Sequence, residues 1–169
     1  MLKESALKGK IILVVDDEPD VLEIVSDTLD MCMVHKAKDF DMGLQHLLSY
    51  TYDAVILDIM GVNGFELLKT SVKRGFPTIM LTAHAVTPKA LRESMKLGAV
   101  SFLPKEEIPQ LKEFLADAVF GSAKLPWVRF FDKLGSYFSK RFGPDWKEKD
   151  KFFKEFENSV RESERKEGD

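Results

Sequence analysis

"KIILVVDDEP", residues 10–19, sets five apolar residues directly before three acids, Asp16, Asp17 and Glu18. An aliphatic run without polar alternation reads as a strand buried on both faces. Its end is the puzzle, because like charges gather there. Two carboxylates about 4 Å apart repel by roughly 4 kcal/mol at an effective dielectric near 20. A positive group, side chain or cation, is expected at that strand end.

Four further short runs follow: "MVHKA" (33–37), "DAVIL" (53–57), "TIML" (78–81) and "VSFL" (100–103). Between them, apolar residues recur at helical spacing, as in Val21, Leu22, Ile24, Val25 and Leu29, or Leu91, Met95 and Leu97. Leu111, Phe114, Leu115, Ala118 and Val119 mark a fifth helix. Asp39 and Thr87-Pro88 read as helix starts and Gly98 as a stop. Five strand–helix units of this length imply a parallel sheet with helices on both faces. Ligands of such sheets bind beyond the carboxyl ends of the strands, where strand order reverses.

A chain of 169 residues, 44% hydrophobic and 31% charged, suits a globular domain with an appendage. No run approaches the roughly 18 apolar residues of a membrane span. The opening "MLKESALKGK" lacks the apolar stretch of a signal peptide, so a cytoplasmic location is expected. One cysteine, Cys32, excludes an internal disulfide and reads as a packing thiol. Residues 1–123 carry 13 Lys+Arg against 18 Asp+Glu, whereas residues 124–169 carry 12 against 10. An acidic body with a mildly basic tail does not point to nucleic acid.

The strand ends carry the chemistry. The first ends at Asp16-Asp17, the third at Asp58, the fourth at Thr82 and the fifth just before Lys105. Any one of them alone reads as a solvated loop end or helix cap. Together, on four strand ends that converge on one rim, they read as a built site. Carboxylate oxygens are hard ligands suited to Mg²⁺. A carboxylate can also attack phosphorus to give an acyl phosphate. Phosphoryl transfer then needs positioning and neutralised oxygens, which a metal, a lysine and a hydroxyl supply.

The segments "ILVVDDEPDVLEIV", "YDAVILDIMGVNGFELL", "PTIMLTAH" and "GAVSFLPKEE" resemble the signature segments of response-regulator receiver domains of two-component signalling. The resemblance covers about residues 9–121. It implies an α/β fold, a flavodoxin-like five-stranded parallel sheet of order 2-1-3-4-5 with two helices on one face and three on the other. It divides the chain into a receiver domain at 1–121 and a C-terminal helical extension at 122–169 without a recognised output domain. It makes Asp58 the phosphoacceptor and Asp16, Asp17, Asp58 and the Met60 backbone carbonyl the Mg²⁺ ligands. Thr82 and Lys105 become the groups that bind the phosphoryl, and Phe102 the aromatic ring that turns inward on activation. Met60 and His84 fall where the family tunes the rate of dephosphorylation. His35 and His46 read as packing or surface residues.

Three features depart from the family. "IMGVNG" after Asp58 reaches its glycine two residues early and lacks the usual proline, which predicts a shorter loop. Glu106 stands where a proline usually follows the lysine, so a cis bond is not expected there. His84 occupies the second position after Thr82.

By this resemblance the chain is a response regulator. A sensor histidine kinase or phosphotransfer protein donates a phosphoryl group to Asp58 with Mg²⁺, and the switched chain controls an effector. It assists only its own phosphorylation and dephosphorylation and is not otherwise an enzyme. A Mg²⁺-dependent phosphohydrolase with an aspartyl nucleophile is the rival. Such enzymes want a second Asp two residues on as acid/base, and Met60 stands there instead. A receiver-like scaffold that is never phosphorylated predicts a damaged site, yet the carboxylates, Thr82 and Lys105 are present.

The rest of the chain reads as two helices broken at Gly143-Pro144. Trp127, Phe130/Phe131, Leu134, Tyr137/Phe138 and Phe142 form one apolar stripe; Phe152, Phe153, Phe156 and Val160 form another. Seven of the 13 Phe lie there, so the stripes must meet something. The chain's own receiver, a homodimer partner and an effector protein are open destinations. A membrane surface is another, since residues 124–142 carry five basic residues against one acid. Direct DNA binding is not expected, because no helix-turn-helix spacing is evident.

Overall fold

The computed structural model describes residues 2–83, 86–121 and 125–168. The aliphatic runs form β1 (Ile11–Val15), β2 (Met33–Ala37), β3 (Ala54–Asp58), β4 (Thr78–Thr82) and β5 (Ser101–Pro104). They pair in parallel in the order β2-β1-β3-β4-β5. β3 and β4 are buried along their whole length, whereas β2, an edge strand, is mostly accessible. Apolar continuity in the sequence thus tracks position in the sheet. β3 and β5 start and end one residue later than their apolar runs suggest. At β3 the reason is visible: Asp53 is used at the strand mouth, its carboxylate accepting from the Ile11 N–H at 2.8 Å.

A short helix, α1 (Leu2–Ser5), precedes the sheet. The crossover helices are α2 (Pro19–Thr28), α3 (Phe40–Ser49), α4 (Gly64–Lys73) and α5 (Pro88–Lys96); α6 (Leu111–Phe120) follows β5. Right-handed crossovers with this strand order place α3, α4 and α5 on the face opposite α2. The expected starts hold: Asp39 accepts from Met42 N–H at 2.8 Å and Thr87 from Ala90 N–H at 3.0 Å. Between β5 and α6, Lys105–Gln110 winds as a 3₁₀ helix.

The tail forms α7 (Leu125–Phe142), α8 (Trp146–Lys149) and α9 (Lys151–Gly168). The break falls at Gly143, whose φ of 103° lies in the region that glycine adopts without penalty. The tail packs on the chain's own sheet layer. Trp127 Nε1–H donates to Ala99 O at 2.8 Å, and the Phe138 ring meets Phe102 edge-on at 6.1 Å. Arg129 pairs with the buried Asp117 of α6, Arg92 of α5 pairs with Asp150, and Lys96 lies over the Phe152 ring. Residues of β5, α5 and α6 all contact the tail. Trp127, Phe130, Phe131, Leu134 and Phe138 of the first stripe are buried, and Phe153 and Val160 of the second. Trp146, in neither stripe, stacks among Phe131, Phe138, Phe142 and Phe153. Among the described residues no helix is long and apolar enough to cross a membrane.

Candidate functional site

The register of the sheet builds the site. Val15 is paired with Leu57, so the next residues, Asp16 and Asp58, lie side by side at the carboxyl rim. Thr82 is paired with Pro104, which places the β4 hydroxyl beside the strand that leads into Lys105. Asp16 is fully buried, Asp58 is 5% exposed and Thr82 is buried.

Lys105 is the positive group that the acidic run called for. Its Nζ lies 2.8 Å from Asp16 Oδ2, 3.3 Å from Glu18 Oε1 and 3.4 Å from Asp58 Oδ1. Its side chain is only 9% exposed and Asp16 and Asp58 are buried, so those two pairs are little screened, whereas Glu18 is about half exposed. Burial alone pulls the Lys105 pKa down, but the hydrogen bond to Asp16 and the charges of Asp58, Asp16 and Glu18 outweigh it, and the net direction is up. Burial raises Asp58 to about 6, the Asp16 charge adding to the rise and Lys105 opposing it. Burial also raises Asp16, against the hydrogen bond from Lys105 and one from the Glu18 N–H at 2.9 Å. One lysine therefore offsets the acids only in part.

Asp16, Asp17 and Glu18 each offer a carboxylate oxygen, and these atoms lie within 4.8 Å of one another. Hard oxygens so close, two of them from groups accessible to solvent, fit a divalent cation that keeps some of its water. Glu18 joins both this set and Lys105, a role the sequence hinted at only through its place in the acidic run. The loop after Asp58 reaches α4 at Gly64 with Asn63 at φ 53°, a tight left-handed step in keeping with its short length. Gly61, at φ 32°, passes so close that a Cβ there would stand 2.5 Å from the Asp17 carboxylate. The Met60 carbonyl, expected among the metal ligands, accepts backbone N–H groups from Val62 and Asn63 within this turn. Its side chain is exposed. Phe102 is fully buried against Phe138. His84 lies outside the described residues. His35 and His46 sit in an aromatic cluster with Tyr50 and Tyr52.

The segment behind Lys105 brought residues together that the sequence did not connect. Glu106, its neighbour, accepts a hydrogen bond from Tyr137 of α7 and lies 4.0 Å from Arg141. No backbone peptide among the described residues is cis, which agrees with a non-proline residue at 106.

Comparison with known proteins bears on this rim. The response regulator receiver domain profile matches residues 12–116. No curated protein matches. Among solved structures, a response regulator receiver domain protein from Clostridium thermocellum is similar, with 25% identity, a TM-score of 0.59 and coverage of 65% of this chain and 94% of that one. A CheY-like receiver domain protein from Methanospirillum hungatei shares 23% identity at a TM-score of 0.56, covering 66% and 97%. A response regulator protein from Burkholderia pseudomallei, solved with a phosphorylated aspartic acid, a calcium ion and citrate, shares 21% identity at a TM-score of 0.59, covering 69% of each chain.

Proposed function

The chain belongs to the response regulator receiver domain family, and from that premise we propose that it is a phosphorylatable switch whose acceptor is Asp58. The observation that carries this reading is Lys105, held within 3.4 Å of both Asp16 and Asp58 at the rim where strand order reverses. A phosphorylated aspartic acid and a calcium ion in the Burkholderia neighbour support the same assignment. An Asp58 carboxylate oxygen attacks the phosphorus of a phosphohistidine on a kinase or phosphotransfer partner. The P–N bond breaks as the P–O bond forms, and the imidazole keeps the electron pair. Lys105 leaves one carboxylate to pair with a phosphoryl oxygen, and the Thr82 hydroxyl donates to another. Asp16, Asp17, Asp58 and the Met60 carbonyl, with Glu18 beside the first two, would hold Mg²⁺, which would neutralise phosphoryl oxygens during transfer.

The division into a receiver at 1–121 and an extension at 122–169 belongs to this reading, as do the tuning roles of Met60 and His84. Acetyl phosphate with Mg²⁺ is expected to add one phosphoryl group by intact mass. Asp58→Asn is expected to abolish the gain and EDTA to suppress it. Labelling that survives in Asp58→Asn would sink the assignment.

A further inference from the structure

The segment Phe102–Glu106 faces the site with one residue and the tail with two. Lys105 points into the acid cluster. Phe102 and Glu106 point the other way, to Phe138 and to Tyr137 and Arg141 of α7. Phe138 is in turn the joint of the tail, its ring against Phe130, Phe142 and Trp146. The other end of α7 is anchored separately, through Arg129 on the buried Asp117 and on Glu113 at 3.2 Å. We propose that the tail is an intramolecular cover latched to the site through Lys105-Glu106, and that phosphorylation of Asp58 opens its Leu134–Trp146 end while the Arg129 end stays fixed. This rests on Asp58 being the acceptor.

The physical argument is one of shared backbone. A phosphoryl group brings a charge of about −1.5 to −2 to Asp58. Lys105, 3.4 Å from Asp58 but 2.8 Å from Asp16, must shift its ammonium away from Asp16 to meet that charge. Glu106 is bonded to it through one peptide and moves with it. Its hydrogen bond from Tyr137 and its 4.0 Å approach to Arg141 are side-chain contacts at an exposed edge, so they open at little cost. The Arg129–Asp117 pair is costlier to open, because its carboxylate is buried and the guanidinium offsets the desolvation of that charge.

Coupling is reciprocal: what phosphorylation does to the tail, the latch must do to the site. The test uses the full chain and beryllofluoride with Mg²⁺ as the phosphoryl mimic, followed by hydrogen exchange and by titration. Amide exchange over 134–146 is expected to rise at least tenfold on beryllofluoride binding, with 111–120 unchanged. The double variant Tyr137→Phe, Arg141→Gln removes the latch but neither buried ring. It is expected to show raised exchange over 134–146 without the mimic, and to bind beryllofluoride about fivefold more tightly or better. Binding with unchanged tail exchange, or a latch variant of unaltered affinity, overturns the inference and leaves the acceptor assignment standing. Failure of both beryllofluoride and acetyl phosphate to engage Asp58 overturns both.

Discussion

Phe138→Ala tests whether tail and sheet form one folding unit. Phe138 is fully buried, with ring centroids of Tyr137, Phe130, Phe142, Trp146 and Phe102 between 5.0 and 6.1 Å away. These neighbours lie on α7, α8 and β5, so the void cannot close by moving a single element. A Phe→Ala change at such a site costs about 3–5 kcal/mol. For a chain of this size each kcal/mol moves Tm by roughly 2–4 °C. A fall of about 10 °C is therefore expected by differential scanning calorimetry, in a single transition. Leu48→Ala is the control: Leu48 is 60% exposed, and its loss should stay within about 0.5 kcal/mol. The reasoning fails if Phe138→Ala splits the trace into an early small transition and a main one at the native Tm. The tail would then melt independently of the sheet. It fails equally if the loss is no larger than that of Leu48→Ala.

Asp58 offers a pH-dependent prediction for the protein in chelator. Its folded pKa of about 6 stands above the ordinary 3.8, so stability present below pH 4 is lost as pH rises through 6. Each pH unit separating the folded and unfolded values corresponds to about 1.4 kcal/mol. Asp58→Asn should therefore gain about 1–3 kcal/mol over the native protein at pH 8 and almost nothing at pH 4. Urea denaturation at both pH values checks this, and an equal difference at both would refute it. Mg²⁺ should raise Tm by binding the folded form alone, and Asp17→Asn should remove most of that rise in thermal melts. Gly61→Ala places a Cβ against the Asp17 carboxylate at a positive φ. It should cost about 1–2 kcal/mol in denaturant titrations and blunt the Mg²⁺ response.

The sheet was legible because buried parallel strands leave unbroken aliphatic runs, and because the rim residues follow those runs directly. Asp16 and Asp58 meet through register alone, once Val15 faces Leu57. Lys105 was legible as a cation near the rim. Its threefold pairing with Asp16, Glu18 and Asp58 depends on the fold of residues 105–110. There the sequence was opaque, since Glu106, Glu107 and Pro109 suit a helix start as well as a 3₁₀ turn. The tail stripes announced that something would cover them without saying what. The answer lies in contacts separated by 28 to 58 residues, such as Trp127 to Ala99 and Arg92 to Asp150, which no local periodicity encodes. Asp117 is 1% exposed and matched by Arg129, whose place twelve residues on carries no helical spacing signal. Met60 is the instructive case at the site. Family position assigns its carbonyl to the metal, and in the short loop that oxygen also accepts from the Val62 and Asn63 N–H groups.

Both tryptophans of the chain, Trp127 and Trp146, sit in the tail, and both are nearly inaccessible. The indole Nε1 of Trp127 is tied to the Ala99 carbonyl, while Trp146 is ringed by Phe131, Phe138, Phe142 and Phe153. Intrinsic indole fluorescence is consequently a local instrument in this molecule. It watches α7, α8 and their seat against Ala99, whereas far-ultraviolet dichroism follows the helices and strands of the whole chain. An unfolding curve drawn from emission alone would describe undocking even if the strands had not yet parted. The two spectroscopies coincide only when the molecule unfolds in one step. Any gap between their midpoints, widened by a kinase, a cation or a partner, would be a direct optical measure of how tightly the last third of the chain is held.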